Sequence, residues 1–132
     1  MPGGGPSPGL LVTSESDEVV VLARGGLADE ASILALRVAL AIPLGGSRVR
    51  LFLAGPAALL GLLDGPQMGA RRAQLSQELD SLLHDQGAPV AVEDESLTEL
   101  GISDRPLWPG VSVVTRAELE DACGQARHCL VF

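Results

Sequence analysis

EVVVLARGGLADEASILALRVALAIPLGGSRVRLFLA, residues 18–54, carries the pattern that decides the fold. Val19-Val20-Val21-Leu22-Ala23 is a continuous β-branched and aliphatic run, as expected of a strand covered on both faces. Gly25-Gly26 ends it. Asp29 offers an N-cap, and Ala31 to Ile42 then holds Ile33, Leu36 and Leu40 at helical spacing. Leu34, Val38 and Ala41 occupy the other side, so little of this helix is expected to face water. Pro43 and Gly45-Gly46 close it, and Arg48 to Ala54 reads as a second strand. Strand, helix, strand in that order needs a crossover, and a crossover pairs the two strands in parallel.

The same alternation continues toward the C-terminus. After Gly55-Pro56, Ala57 to Leu63 reads as a short apolar helix, and Gly65-Pro66 with Gly69 marks a flexible loop. A longer helix is expected from Ala70 to Gln86, with Leu75, Leu79, Leu82 and Leu83 as its stripe and Gly87 as its stop. Pro89 to Val92 is a third strand, and Ser96 to Leu100 a helical turn or two ended by Gly101. Val111 to Val114 is a fourth strand. Thr115-Arg116-Ala117-Glu118 fits a capping box, opening a helix with Leu119, Ala122, Cys123 and Ala126 on one side. Cys129 to Phe132 is the fifth strand. Five strands alternating with helices predict an α/β domain over residues 17–132, its sheet mainly parallel with helices on both faces. Residues 1–16 read as a flexible tail, Gly, Pro and Ser alone from 2 to 9.

Composition narrows the function classes. The chain has 132 residues, enough for one domain, and 17 acids against nine bases give a net charge of -8. Every base is arginine. A chain this acidic lacks the electrostatic footprint for nucleic acid or an anionic membrane surface. Phe52, Trp108 and Phe132 are the only aromatics, too few for the stacking platforms of single-strand binders. No run reaches the roughly 20 apolar residues of a membrane span. Two cysteines and two histidines are too few for a structural zinc cluster with residues to spare, so neither metal nor cofactor is expected. The start lacks a basic n-region, which suggests a reducing, cytoplasmic setting.

Ligands of parallel sheets bind beyond the carboxyl ends of the strands, which singles out the loops Arg24–Asp29, Ala54–Ala57 and Glu93–Ser96. Gly25-Gly26, ahead of a helix, is one candidate loop for an anion, although it matches neither dinucleotide nor P-loop spacing and no lysine is present. A tight strand-to-helix turn is its ordinary reading. Glu93-Asp94-Glu95 is a second candidate, as a metal or general-base site, since neighbouring carboxylates raise one another's pKa; a solvated helix N-terminus is its ordinary reading. Cys123, in an apolar stripe, and Cys129, opening the last strand, are candidate nucleophiles, with structural burial as the expectation for both. His84 reads as a surface residue. Trp108, between Pro106 and Pro109, is either a partner anchor or a cover for the sheet edge.

The segments DEASILALRVALAIPLGGSRVRLFLAGPAALLGLL, VAVEDESLTELGI and GVSVVTRAELEDACGQARHCLVF resemble the DsrE/DsrF/TusC-like family of small sulfur-relay proteins. The likeness runs from Glu18 to Phe132 and includes the spacing V-x-V-x-x-x-S-L-x-x-x-G. It implies a three-layer α/β/α domain that assembles with itself or with related subunits. In sulfur-carrying members a cysteine at the end of the third strand accepts persulfide sulfur. Here the matching position is Glu93, and neither cysteine is close to it in sequence. The resemblance therefore implies a non-catalytic subunit supporting a sulfur-relay assembly, as a homo-oligomer or beside a cysteine-bearing relative. Residues 31–42 and 57–63, with Leu59, Leu60 and Trp108, are the candidate interface. Two alternatives remain: a sulfurtransferase using Cys129 or Cys123, and a small-ligand module at the Gly25-Gly26 loop.

Overall fold

Five strands form one parallel sheet: β1 (Glu18–Ala23), β2 (Arg48–Leu53), β3 (Val90–Glu93), β4 (Ser112–Val114) and β5 (His128–Val131). Their spatial order is β4-β3-β2-β1-β5. The computed structural model describes residues 18–26, 30–64 and 70–132. The expected tail, the Asp29 cap and the loop at Gly65-Pro66 and Gly69 lie outside the described residues.

The strand order accounts for the layering. From β1 to β4 each strand is added beside the last in one direction, and right-handed crossovers then put every connection on the same face. That face carries α1 (Glu30–Ala41), a 3₁₀ helix (Gly55–Gly61) and α2 (Ala70–Asp80), packed on Val21, Val49, Leu51, Leu53, Val90 and Val92. The step from β4 to β5 reverses direction across the whole sheet. Its helix, α4 (Arg116–Gln125), consequently covers the opposite face, over Val20, Leu22, Phe52 and Ala91. The alternation of these residues is the two-residue period of a strand, and β1 is buried on both sides as its sequence predicts.

The expected three layers are present, but they are unequal. Of α4 only Leu119 is fully buried, and Arg50 lies over the Phe52 ring with its guanidinium 5.6 Å from the centroid. The stem of an arginine here does part of the work of a helix.

Three elements differ from expectation. The buried side of α1 is Ser32, Ala35, Leu36 and Ala39, whereas Leu34 is 51% exposed. Small residues let the helix approach the sheet closely, while Ile33, Val38 and Leu40 pack on the core from the flanks and Leu34 is left to solvent. The segment after β2 is a 3₁₀ helix beginning at Gly55, not an α-helix over 57–63. The long helix ends as α at Asp80 and finishes in a π turn, Ser81–Asp85, before Gly87 at φ +67°. The stripe Leu75, Leu79 and Leu82 is buried as predicted.

Close approach explains one glycine. A Cβ on Gly61 would meet the Val92 Cγ2 at 2.6 Å, well inside contact distance. Val92 is β-branched and held in the central sheet, so it has little freedom to move aside. Gly61→Ala is therefore expected to destabilise the domain by about 1–3 kcal/mol through overpacking. Urea unfolding checks this; an unchanged midpoint would mean that the 3₁₀ segment shifts freely away from β3.

Candidate functional site

The site is built where β3 runs directly into α3 (Asp94–Glu99). Glu93 is the last residue of β3 and is only 3% exposed. A carboxylate in that position must be paired or protonated, because burying an unpaired charge is very costly. It is paired. Arg116 donates from Nε to Oε2 at 2.9 Å and from a terminal nitrogen to Oε1 at 3.1 Å. The Ser96 hydroxyl donates to Oε1 at 2.5 Å and accepts from the Gly55 N–H at 2.8 Å. Gly55 has φ +56°, and a Cβ there would lie 3.3 Å from the Arg24 carbonyl. This left-handed position suits glycine and turns its N–H toward Ser96.

Arg116 is delivered by the capping box that its sequence predicts. Thr115 Oγ1 accepts from the Glu118 N–H at 3.1 Å, and Glu118 Oε1 accepts from the Thr115 N–H at 2.8 Å. The cap makes Arg116 the first residue of α4, directly beyond β4 and beside Glu93. Its other terminal nitrogen lies 3.2 Å from Glu95 Oε1. The Arg116 hydrogen bonds hold the Glu93 carboxyl below the usual glutamate value of 4.5, although burial pushes it up. Arg116 is raised in turn, chiefly by its hydrogen bond to Glu93.

Beside this clamp, on the face covered by α4, lies a depression of about 290 Å³. Arg24, Glu93, Arg116 and Leu119 line it together with Cys123 and Cys129. The two thiols are thus brought to Glu93 by the fold, although neither is close in sequence. Their expected burial is corrected: Cys129 is exposed and Cys123 only half-buried, because β5 is an edge strand and, among the described residues, no helix beyond α4 shields it. Burial pushes the Cys123 thiol up to about 12, helped by its hydrogen bond with Cys129 and by the Glu120 charge. Such a thiol is a poor nucleophile.

A family model described as the DsrE/DsrF-like family matches residues 17–132. The chain belongs to the DsrE/DsrF-like family. Among solved structures, the crystal structure of the ychN protein from E. coli is similar at a TM-score of 0.70 and 29% sequence identity, covering 87% of this chain and 98% of that one. No curated protein matches. Membership gives a sulfur-relay-related role at the level of the family, and the all-parallel α/β sheet agrees with the fold of its relative.

Other candidates fall elsewhere. The Ser32 hydroxyl lies 2.8 Å from both the Gly25 and Gly26 carbonyls, binding that loop to the first turns of α1. Leu60 is 2% exposed in the main core and so is closed to any partner; Leu59 is partly buried beside it. Trp108 packs on the same core and donates from Nε1 to Asp80 at 3.1 Å, which makes it a cover over α2 rather than a free anchor. Asp94 opens α3 and lines a second depression with Glu95, Thr98 and Glu99. His84 is exposed, 3.5 Å from Asp80. Among the described residues no helix is long and apolar enough to cross a membrane, and no group of three His, Cys, Asp or Glu is placed to hold a metal. Arg24, Gly55 and Ser96 fall in the loops beyond the carboxyl ends of β1, β2 and β3, where a ligand is expected from sequence; Arg116 was missed, and the capping box was the one signal that pointed to it.

The clamp has a pH signature. A carboxylate whose pKa is depressed by folding stabilises the domain above its ordinary value of 4.5 and loses that contribution as pH falls through the folded value. Glu93→Gln is expected to lower stability at neutral pH by about 1–2 kcal/mol. It should also flatten the decline below pH 4.5. Chemical denaturation of both proteins at several pH values checks this, and parallel pH profiles would remove Glu93 from the acid response.

Proposed function

We propose that this chain is a supporting, non-sulfur-carrying subunit of a sulfur-relay assembly in the cytoplasm, working beside a cysteine-bearing member of the DsrE/DsrF-like family. One observation carries the reading. The end of β3, where the family resemblance puts a persulfide-accepting thiol, holds the Glu93 carboxylate, immobilised by Arg116 and Ser96. A carboxylate cannot carry sulfane sulfur, and this one has both oxygens engaged. The exposed apolar residues Val113, Leu130 and Val131, on both edge strands, support an assembly rather than a solitary domain.

Native mass measurement tests this, on the chain alone and mixed with a cysteine-bearing family subunit. An oligomer or mixed complex is expected; a monomer under both conditions would end the proposal.

A second reading, a sulfurtransferase using Cys129, is favoured by the exposure of that thiol in the same depression as Glu93. It requires persulfide to accumulate on Cys129 when the chain is given a sulfane-sulfur donor. On the supporting-subunit reading, tag-switch labelling finds sulfane sulfur on the partner and none on this chain.

A further inference from the structure

Parallel pairing sets Cys129 opposite Val20, so its side chain shares the face of Val20. Val20 belongs to the cluster under α4, against which Cys123 packs. A helix residue and a strand residue six positions apart therefore line one depression of about 290 Å³ on this face. Both are free thiols, one exposed and one half-buried. An accessible thiol and a sheltered one sharing a single depression is the arrangement of an attacking and a resolving cysteine.

We propose that Cys123 and Cys129 form a reversible oxidation site for small disulfides, with Cys129 as the entry thiol and Cys123 as the resolving thiol of an intramolecular disulfide. The Cys129 thiolate attacks one sulfur of RSSR. A Cys129–SR bond forms, the S–S bond of the reagent breaks, and one RS⁻ leaves and takes a proton. Cys123 then loses its proton to water and attacks the Cys129 sulfur. The second RS⁻ departs, leaving the Cys123–Cys129 bond. Two protein thiols are oxidised and one RSSR is reduced to two RSH.

The order of attack follows from the surroundings. Cys123 is sheltered and held protonated, so it does not begin the exchange. Two of the influences that keep it protonated come from Cys129 itself, its hydrogen bond and its charge. Conversion of Cys129 to a mixed disulfide removes that charge, and proximity favours the closing step. The bond would join the end of α4 to edge strand β5, fixing the single helix of the second face in place. None of this depends on a relay role, because the pair needs no partner protein.

The test uses the full chain and oxidised glutathione, read by intact mass and thiol alkylation. The wild type is expected to lose two hydrogens and both alkylatable thiols, to recover both with dithiothreitol, and to unfold at a higher temperature when oxidised. Cys123→Ser and Cys123→Ala should both stop at a stable glutathione adduct on Cys129. Cys129→Ser should react about tenfold or more slowly. A stable adduct on the wild type with Cys123 still alkylatable would overturn the proposal. So would disulfide-linked dimers in place of the internal bond, or a Cys129→Ser variant that reacts as fast as wild type.

Discussion

A carboxylate at the buried carboxyl end of a central strand must be neutralised where it stands, and that requirement organises this molecule. Glu93 meets it with Arg116 and Ser96, and Ser96 in turn holds the Gly55 N–H. Three segments that are remote in sequence are thereby fixed at the carboxyl ends of the strands: the turn after β2, the junction of β3 with α3, and the start of α4. A buried ion pair is weak evidence for net stability, because its desolvation offsets much of its attraction. Its larger effect here is positional. It locates the beginning of the only helix that, among the described residues, covers the second face.

That face has little else to hold it. The first face is closed by α1, the 3₁₀ segment and α2, whose leucines and alanines pack the main core. The second has one helix with one fully buried residue, the Arg50 stem over Phe52, and an edge strand exposed along its whole length. Thiols and charged groups therefore gather on the thinly covered side. The depression beside Glu93 arises from that asymmetry. A slightly larger depression, about 340 Å³, lies at the amino ends of the strands around Glu18, Ser47 and Arg48, and contains no thiol.

Much of the fold was legible from local pattern. The β-branched run at 19–23, the leucine stripe of α2 and the Thr115–Glu118 capping box each report forces acting within a few residues, and each is found where predicted. Strand order was not legible, because parallel neighbours are chosen by packing between distant segments. The clamp was hidden for the same reason: Arg116 and Glu93 are far apart in the chain, and their salt bridge exists only once β4 lies beside β3. The cysteines show the limit most clearly. Neighbouring strand residues do face opposite ways, but only the pairing of β5 with β1 decides which face receives Cys129, and only the edge position of β5 leaves it open.

The placement of β5 also has a consequence in time. Val19, at the beginning of the fold, pairs with His128, near its end. While the chain emerges from the ribosome, β1 can gain β2 early but does not gain its other neighbour until β5 has been made. Pairings of such long sequence separation are slow to form, since the intervening chain must be ordered first. For that interval an apolar strand, Val19 to Ala23, offers open backbone groups to any other extended segment nearby. The C-terminal strand thus acts as a seal on the nascent domain, and the last four residues of β structure govern how long the first six remain adhesive.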